Sequence, residues 1–295
     1  MQLHRLPLPA PGPGGSRPAA PLLALLLLLA LQGTAAAPAG SEQPQDSGWQ
    51  QDAEIPRRTL QQAARAALHF LNFRVGSPSA LRVLSAVQQG RTWVNSKKEC
   101  QVDLVFTTER YNPGSLFQEG EEHLGKCSAR VFFRGEKPRP AVNVTCTRFI
   151  EKSKRQQEDF QLYQHMKQLK SPLDVVSIPD SHGHIDPSLR PIWDLAFLGS
   201  SYVMWEKTTQ FSHYYLAQLS SVQQWKTNDD AIDFTYTVLL HEFSTQEMVP
   251  CRIHLVWYPS KPLKVKYHCQ GLQTPEEASG TEEGSAVAPT ELGNF

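Results

Sequence analysis

Five cysteines, Cys100, Cys127, Cys146, Cys251 and Cys269, are the residues of this chain whose type and spacing most invite chemistry. A thiolate nucleophile needs a neighbouring base and an oxyanion site, and no local motif around Cys100 supplies either. His182-Gly183-His184 with Asp186 comes nearest to a metal-ligand set. No third ligand follows at regular spacing and there is no HExxH, so no metal is expected there. His241-Glu242 and His254 fall in strand-like runs and read as face residues. Asn228-Asp229-Asp230 resembles a carboxylate pair but stands just before a strand, where such residues make turns. Lys152, Lys154 and Arg155 mix with Glu151, Glu158 and Asp159, which describes a solvated helix face rather than an anion site. G-x-S-x-G, P-loop and G-x-G-x-x-G strings are all missing. No catalytic residue, cofactor or metal is therefore expected, and the chemistry left to the cysteines is cross-linking.

Alternation along the strands says which cysteines would meet. Cys251, Ile253, Leu255 and Trp257 share one face of a strand, and Leu263, Val265, Tyr267 and Cys269 share one face of the next. Folding this hairpin about Ser260 sets Cys251 across from Cys269, Ile253 from Tyr267 and Leu255 from Val265. A second hairpin, turning at Gly135 to Lys137, sets Cys127, Ala129 and Val131 across from Cys146, Val144 and Val142. Directly opposed strand residues lie near the Cα separation a disulfide needs. Each bridge would close a loop worth about 3 kcal/mol in the loop-entropy picture. The alternative is two pairs of buried thiols. Cys100 is left over, either inert in a core or pairing between chains. Asn143-Val144-Thr145 is a glycosylation sequon whose Asn143 and Thr145 fall on the face opposite Cys146, toward solvent.

The elements that must position these residues form a repeat. Leu60, Ala63, Ala64, Ala67, Leu68 and Leu71 recur at helical spacing, and Gly76 and Pro78 end that helix. Strand-like runs follow near 81–89, 100–108, 127–134 and 141–149. Residues 151–170 predict a charged helix with a stripe of Phe160, Tyr163, Met166 and Leu169. A turn-rich connector leads to a second apolar helix over 192–207 and to strands near 214–224, 231–241, 251–258 and 262–269. Leu84-Ser85-Ala86-Val87-Gln88-Gln89 answers Leu219-Ser220-Ser221-Val222-Gln223-Gln224. The fold class expected is α+β, a helix packed on a four-stranded antiparallel sheet, twice. The domains run as a basic, Pro-rich start (1–18), an apolar segment (19–39), a linker (40–56), module 1 (57–150), a connecting helix and connector (151–190), module 2 (191–270) and an acidic tail (271–295). The tail carries five Glu and no base, and is expected to be disordered.

The apolar segment decides the compartment. Leu22 to Leu31 is Leu and Ala throughout, Arg5 and Arg17 precede it, and Ala35-Ala36-Ala37 follows. That is the layout of a cleaved signal peptide. The stretch from Ala19 to Ala39 is also just long enough to span a bilayer as a signal-anchor. Both readings keep the basic residues cytoplasmic, because no Lys or Arg lies between Ala19 and Ile55. Both export the body into a compartment that favours disulfides and glycosylation. A net charge of +0, from 29 basic and 29 acidic residues, gives no global field to hold nucleic acid.

Ile178-Pro179-Asp180, Gly183 and Pro187, then Asn228 through His241, then Gln246-Glu247-Met248-Val249-Pro250, are similar to the latexin family. The similarity runs in register from about Ala63 to Lys266. The resemblance implies two cystatin-like modules joined by a helix and a non-enzymatic inhibitor of zinc metallocarboxypeptidases that blocks the active-site funnel with its second module. It places the inhibitor contact on Ser244, Thr245, Gln246, Glu247, Met248, Val249 and Pro250. Glu242, Phe243 and Cys251 depart from the family's residue types around that loop, and bear on potency rather than fold. The implied partner is a zinc metallocarboxypeptidase, or a cytosolic one that processes tubulin tails if the body were cytosolic. The membrane, through 19–39, is the other expected partner; no nucleic acid and no small-molecule cofactor are. Two other functions compete. Cystatin-type inhibition of cysteine proteases would use a Q-x-V-x-G hairpin, for which Val87-Gln88-Gln89-Gly90 is the nearest string and lacks the spacing. A membrane-tethered adhesion or signalling module would need only an anchor and a partner patch.

Overall fold

The computed structural model describes residues 50–51, 56–111, 123–135, 137–147, 150–169, 177–225, 230–270 and 281–287. The elements are β1 (Gln50–Gln51), α1 (Arg57–Val75), β2 (Arg82–Val94), β3 (Cys100–Arg110), β4 (His123–Phe133) and β5 (Ala141–Cys146). They continue with α2 (Lys152–Gln168), α3 (Arg190–Lys207), β6 (Tyr214–Trp225), β7 (Ile232–Glu242), β8 (Met248–Trp257), β9 (Lys264–Gln270) and β10 (Thr281–Val287). The fold is α+β. Two antiparallel meanders, β2-β3-β4-β5 and β6-β7-β8-β9, each pack on a helix, as in two cystatin-like modules.

Small side chains let α1 lie close on its sheet: Ala63, Ala64, Ala67, Leu68 and Leu71 are buried against Val102, Leu104, Phe106 and Val131. Gly76 ends the helix at φ 61°, ψ 27°, and its N–H donates to the Asn72 carbonyl at 3.0 Å. Only a residue tolerant of the left-handed region stops a helix this way. In the second module α3 lays Trp193, Ala196, Leu198 and Val203 on the inward residues of β7 and β8. Gly199 is the point of closest approach. A Cβ built there would lie 2.1 Å from the Tyr236 hydroxyl and 2.7 Å from Leu255 Cδ1. The Tyr236 hydroxyl donates to the Ala196 carbonyl at 3.2 Å.

Both hairpins have the expected register. Cys127 pairs with Cys146, Ala129 with Val144 and Val131 with Val142. Cys251 pairs with Cys269, Ile253 with Tyr267 and Leu255 with Val265. Disulfides join Cys127 to Cys146 and Cys251 to Cys269. Cys100 is buried in the core of the first module, out of reach of another chain. The internal repeat extends to an irregularity. β2 bulges at Ser85 and Gln88 and β6 at Ala217 and Ser220, of which Ser85 and Ser220 are matching positions of the six-residue repeat.

The modules share a core. Phe73 and Leu81 of the first belong to the same buried cluster as Trp193, Tyr202, Trp205 and Trp257 of the second. Helices α1 and α3 pack together, with ring centroids 4.9 Å apart for Phe70 and Trp205 and 4.8 Å for Phe73 and Tyr202. The Trp257 indole N–H donates to the Gly76 carbonyl at 3.1 Å.

Three expectations change. Residues 281–287, read as disordered tail, form an edge strand antiparallel to β9, from Thr281 opposite Gln270 to Val287 opposite Lys264. Gln50 and Gln51, read as linker, pair with Val94 and Trp93. The inward stripe of α2 is Asp159, Tyr163 and Met166, while Phe160 is exposed. Asp159 earns its buried place by accepting from the backbone N–H and hydroxyl of Ser79, at 3.1 and 2.7 Å. Burial holds its carboxyl above the usual range, and the serine bonds oppose that. The apolar segment 19–39, linker residues 40–49 and 52–55, and residues 271–280 and 288–295 lie outside the described residues. No helix among the described residues is long and apolar enough to cross a membrane.

Candidate inhibitory site

The turn between β7 and β8 holds the predicted contact loop. It is a closed hairpin tip, not an open loop. The Glu242 N–H donates to the Glu247 carbonyl and the Gln246 N–H to the Glu242 carbonyl, both at 2.9 Å. Gln246 takes a left-handed φ of 63°, which turns the chain back into β8. Its side-chain amide donates to the Phe243 carbonyl at 2.6 Å. The Thr245 hydroxyl donates to the buried Glu242 carboxylate. The tip is also tied from outside. The Ser244 hydroxyl donates to the Phe211 carbonyl at 2.6 Å and accepts from the Arg58 guanidinium of module 1 at 2.7 Å. Phe243 stacks on His213, with centroids 4.8 Å apart. His213 is held neutral, its pKa lowered to about 4 first by burial and then by the Arg65 and Arg58 charges.

The predicted residues separate. Ser244, Thr245, Gln246, Glu247 and Met248 are exposed. Val249 faces the core and Pro250 is half-buried opposite Leu239. The sequence held the signal for Val249. It lies two residues before Cys251 and so shares the inward face by simple alternation. Missing from the sequence reading were Phe211 and Tyr215, while Phe243 stood there only as a departure beside the contact loop. Relative exposure is 56% for Phe211, 45% for Tyr215, 45% for Phe243 and 39% for Met248. Phe160 is the remaining large apolar side chain exposed among the described residues, so the rest gather around this one tip. His241 lies opposite both Tyr215 and Met248, and its ring contacts Tyr215 at 4.6 Å.

Elsewhere the candidate chemistry dissolves into structure. The backbone N–H groups of His182 and His184 donate to the Asp180 carboxylate at 2.9 and 2.8 Å, and Asp186 accepts from Ser188. No cluster of three or more His, Cys, Asp or Glu among the described residues could hold a metal ion. His254 Nε2 meets the Asp233 carboxylate at 2.7 Å. Val87-Gln88-Gln89-Gly90 lies inside β2, not at a hairpin tip. Asn143 and Thr145 are exposed on β5, on the sheet face away from α1.

A family model for latexin matches residues 53–275, which spans both modules. The chain belongs to the latexin family. It is 78% identical over 253 residues to human retinoic acid receptor responder protein 1, covering 86% of this chain and 84% of that protein. It is 35% identical over 290 residues to chicken ovocalyxin-32, covering 95% of this chain and 99% of that one. Mouse latexin is 31% identical over 219 residues, covering 73% of this chain and 95% of its own. The latexin match ends before β10, at residue 275, and so leaves that edge strand outside the family region.

Proposed function

We propose that this chain is a non-enzymatic protein inhibitor of zinc carboxypeptidases, and that the hairpin tip from Phe243 to Met248 caps the mouth of the enzyme's funnel. Membership of the latexin family supports an inhibitor of this class. The observation that favours this tip is the gathering of Phe211, Tyr215, Phe243 and Met248 around it. Apolar anchors beside polar Gln246 and Glu247 are the composition of a partner surface. A tip already closed by its own hydrogen bonds loses little further entropy on binding, which a free tail would lose in full.

Assay against zinc carboxypeptidases tests this. Gln246→Ala with Glu247→Ala is expected to weaken inhibition about tenfold, a loss of ~1.4 kcal/mol. Because residues 281–287 belong to the sheet, the tail is tested by deleting 288–295 alone, which removes Phe295 and spares β10. That deletion is expected to leave inhibition unchanged. Inhibition abolished by the deletion and indifferent to the tip variants would make the tail the inhibitor.

The same reading puts the body in the secretory pathway, anchored or released. Its support is the basic start before the apolar segment, the two disulfides and an exposed sequon. Glycosidase treatment of the cell-made protein is expected to lower its apparent mass, and Asn143→Gln to remove that shift. A body without glycan, reachable only from the cytosol, would reverse the orientation and turn the search to cytosolic carboxypeptidases.

A further inference from the structure

A groove of about 740 Å³ runs between the modules, a volume typical of ligand sites. Arg57 and Arg65 of α1 and Arg82 of β2 line it, and no Asp or Glu does. Arg65 is half-buried, and its Nη1 donates to His213 Nε2 at 2.7 Å. His213 is neutral, so this bond leaves the arginine's charge uncompensated. Neither Arg57 nor Arg65 has an ion-pair partner among the described residues. Desolvation lowers the Arg65 pKa, the cost of holding a cation here without an anion.

The other wall is a strand edge. Every residue from Arg82 to Gln89 lines the groove. Alternate side chains of a strand point to opposite faces, so a groove met by all of them runs along the edge itself. β1 covers β2 only at Trp93 and Val94. The repeat shows what such an edge accepts. Leu219, the counterpart of Leu84, exchanges two backbone hydrogen bonds with Ile178 of the connector, at 2.7 and 2.9 Å. It does so beside the bulge at Ser220 that β2 repeats at Ser85. That bulge therefore does not prevent pairing at Leu84; β2 bulges a second time at Gln88, a position whose counterpart Gln223 is regular in β6. At Leu84 the same edge has no added strand among the described residues.

We propose that this groove binds an extended acidic peptide of a partner protein, which adds as a strand to the Leu84–Gln89 edge and sets its carboxylates against Arg57 and Arg65. Backbone pairing supplies register, as in other strand-addition sites, and the arginines select charge. The site goes beyond the inhibitor reading and does not depend on it.

The test uses the full chain and a fluorescein-labelled octapeptide of alternating Glu and Val, followed by anisotropy at low salt. Saturable binding is expected, with slowed amide exchange at Arg82–Gln89. Arg57→Gln with Arg65→Gln is expected to weaken it about tenfold. Arg57→Gln alone, at an exposed residue, is expected to weaken it without touching the seam. A Lys–Val octapeptide is expected not to bind, nor the Glu–Val peptide N-methylated at alternate amides. No saturation by about 1 mM, the weak limit of useful affinity, would overturn the proposal. So would equal binding of the Lys–Val or N-methylated peptide, or Glu–Val binding indifferent to Arg57→Gln.

Discussion

Replacing Cys251 with Ser opens Cys269 to thiol reagents and lowers stability by about 2–5 kcal/mol. Two effects add. The bridge closes a loop of sequence separation 18, and its loss frees that loop in the unfolded chain. Cys251 and Cys269 are also 0% and 1% exposed, inside the shared core. A serine hydroxyl placed there has no apolar substitute for the sulfur contacts and needs a partner it lacks. Of five cysteines, four are bridged, so the denatured wild-type chain should show one reactive thiol and the variant two. A count that falls instead, from three in the wild type to two in the variant, would mean that this bridge did not exist. Cys146→Ser is expected to cost less, because Cys146 is only half-buried and the second effect is smaller there.

Gly199→Ala is expected to destabilise by about 2–4 kcal/mol, although alanine favours a helix over glycine by about 1 kcal/mol. The added methyl would sit 2.1 Å from the Tyr236 hydroxyl and 2.7 Å from Leu255 Cδ1, and both side chains are buried in a packed core. To clear it, Tyr236 must give up its bond to the Ala196 carbonyl, worth about 1 kcal/mol. Tyr236→Phe alone should cost about 1 kcal/mol, since the carbonyl keeps its helical partner. In Gly199→Ala with Tyr236→Phe the 2.1 Å contact is gone, and the next ring atom stands at 3.4 Å. The pair should therefore be more stable than the sum of the single losses by at least about 1 kcal/mol in a denaturation cycle. Strict additivity would show that the helix shifts as a body instead.

The parts of the fold set by short-range periodicity were legible in the letters. Period-two alternation and a turn at Ser260 were enough to place Cys251 opposite Cys269. Small residues on one face of α1 were enough to place it on a sheet. What escaped depends on other rules. β10 joins its neighbour through backbone pairing, to which an acidic, Gly- and Ser-rich composition gives no clue. Asp159 displaced Phe160 from the inward stripe because a serine turn 80 residues earlier offered it hydrogen bonds. Phe211 and Tyr215 stand about thirty residues before Phe243, and their meeting at one tip is a product of tertiary packing. The arginine-lined groove likewise needs both modules before it exists.

The core common to the two modules bears on how such a molecule can melt and how it came to be. With Phe73 and Leu81 buried among Trp205 and Trp257, neither half keeps its hydrophobic surface covered alone. Heating should then produce one calorimetric peak whose van't Hoff and measured enthalpies agree, where a pair of beads on a string would give two. A duplicated ancestral unit that once folded by itself would have traded that autonomy for its twin, so that excising either copy today yields a sticky fragment instead of a smaller working protein.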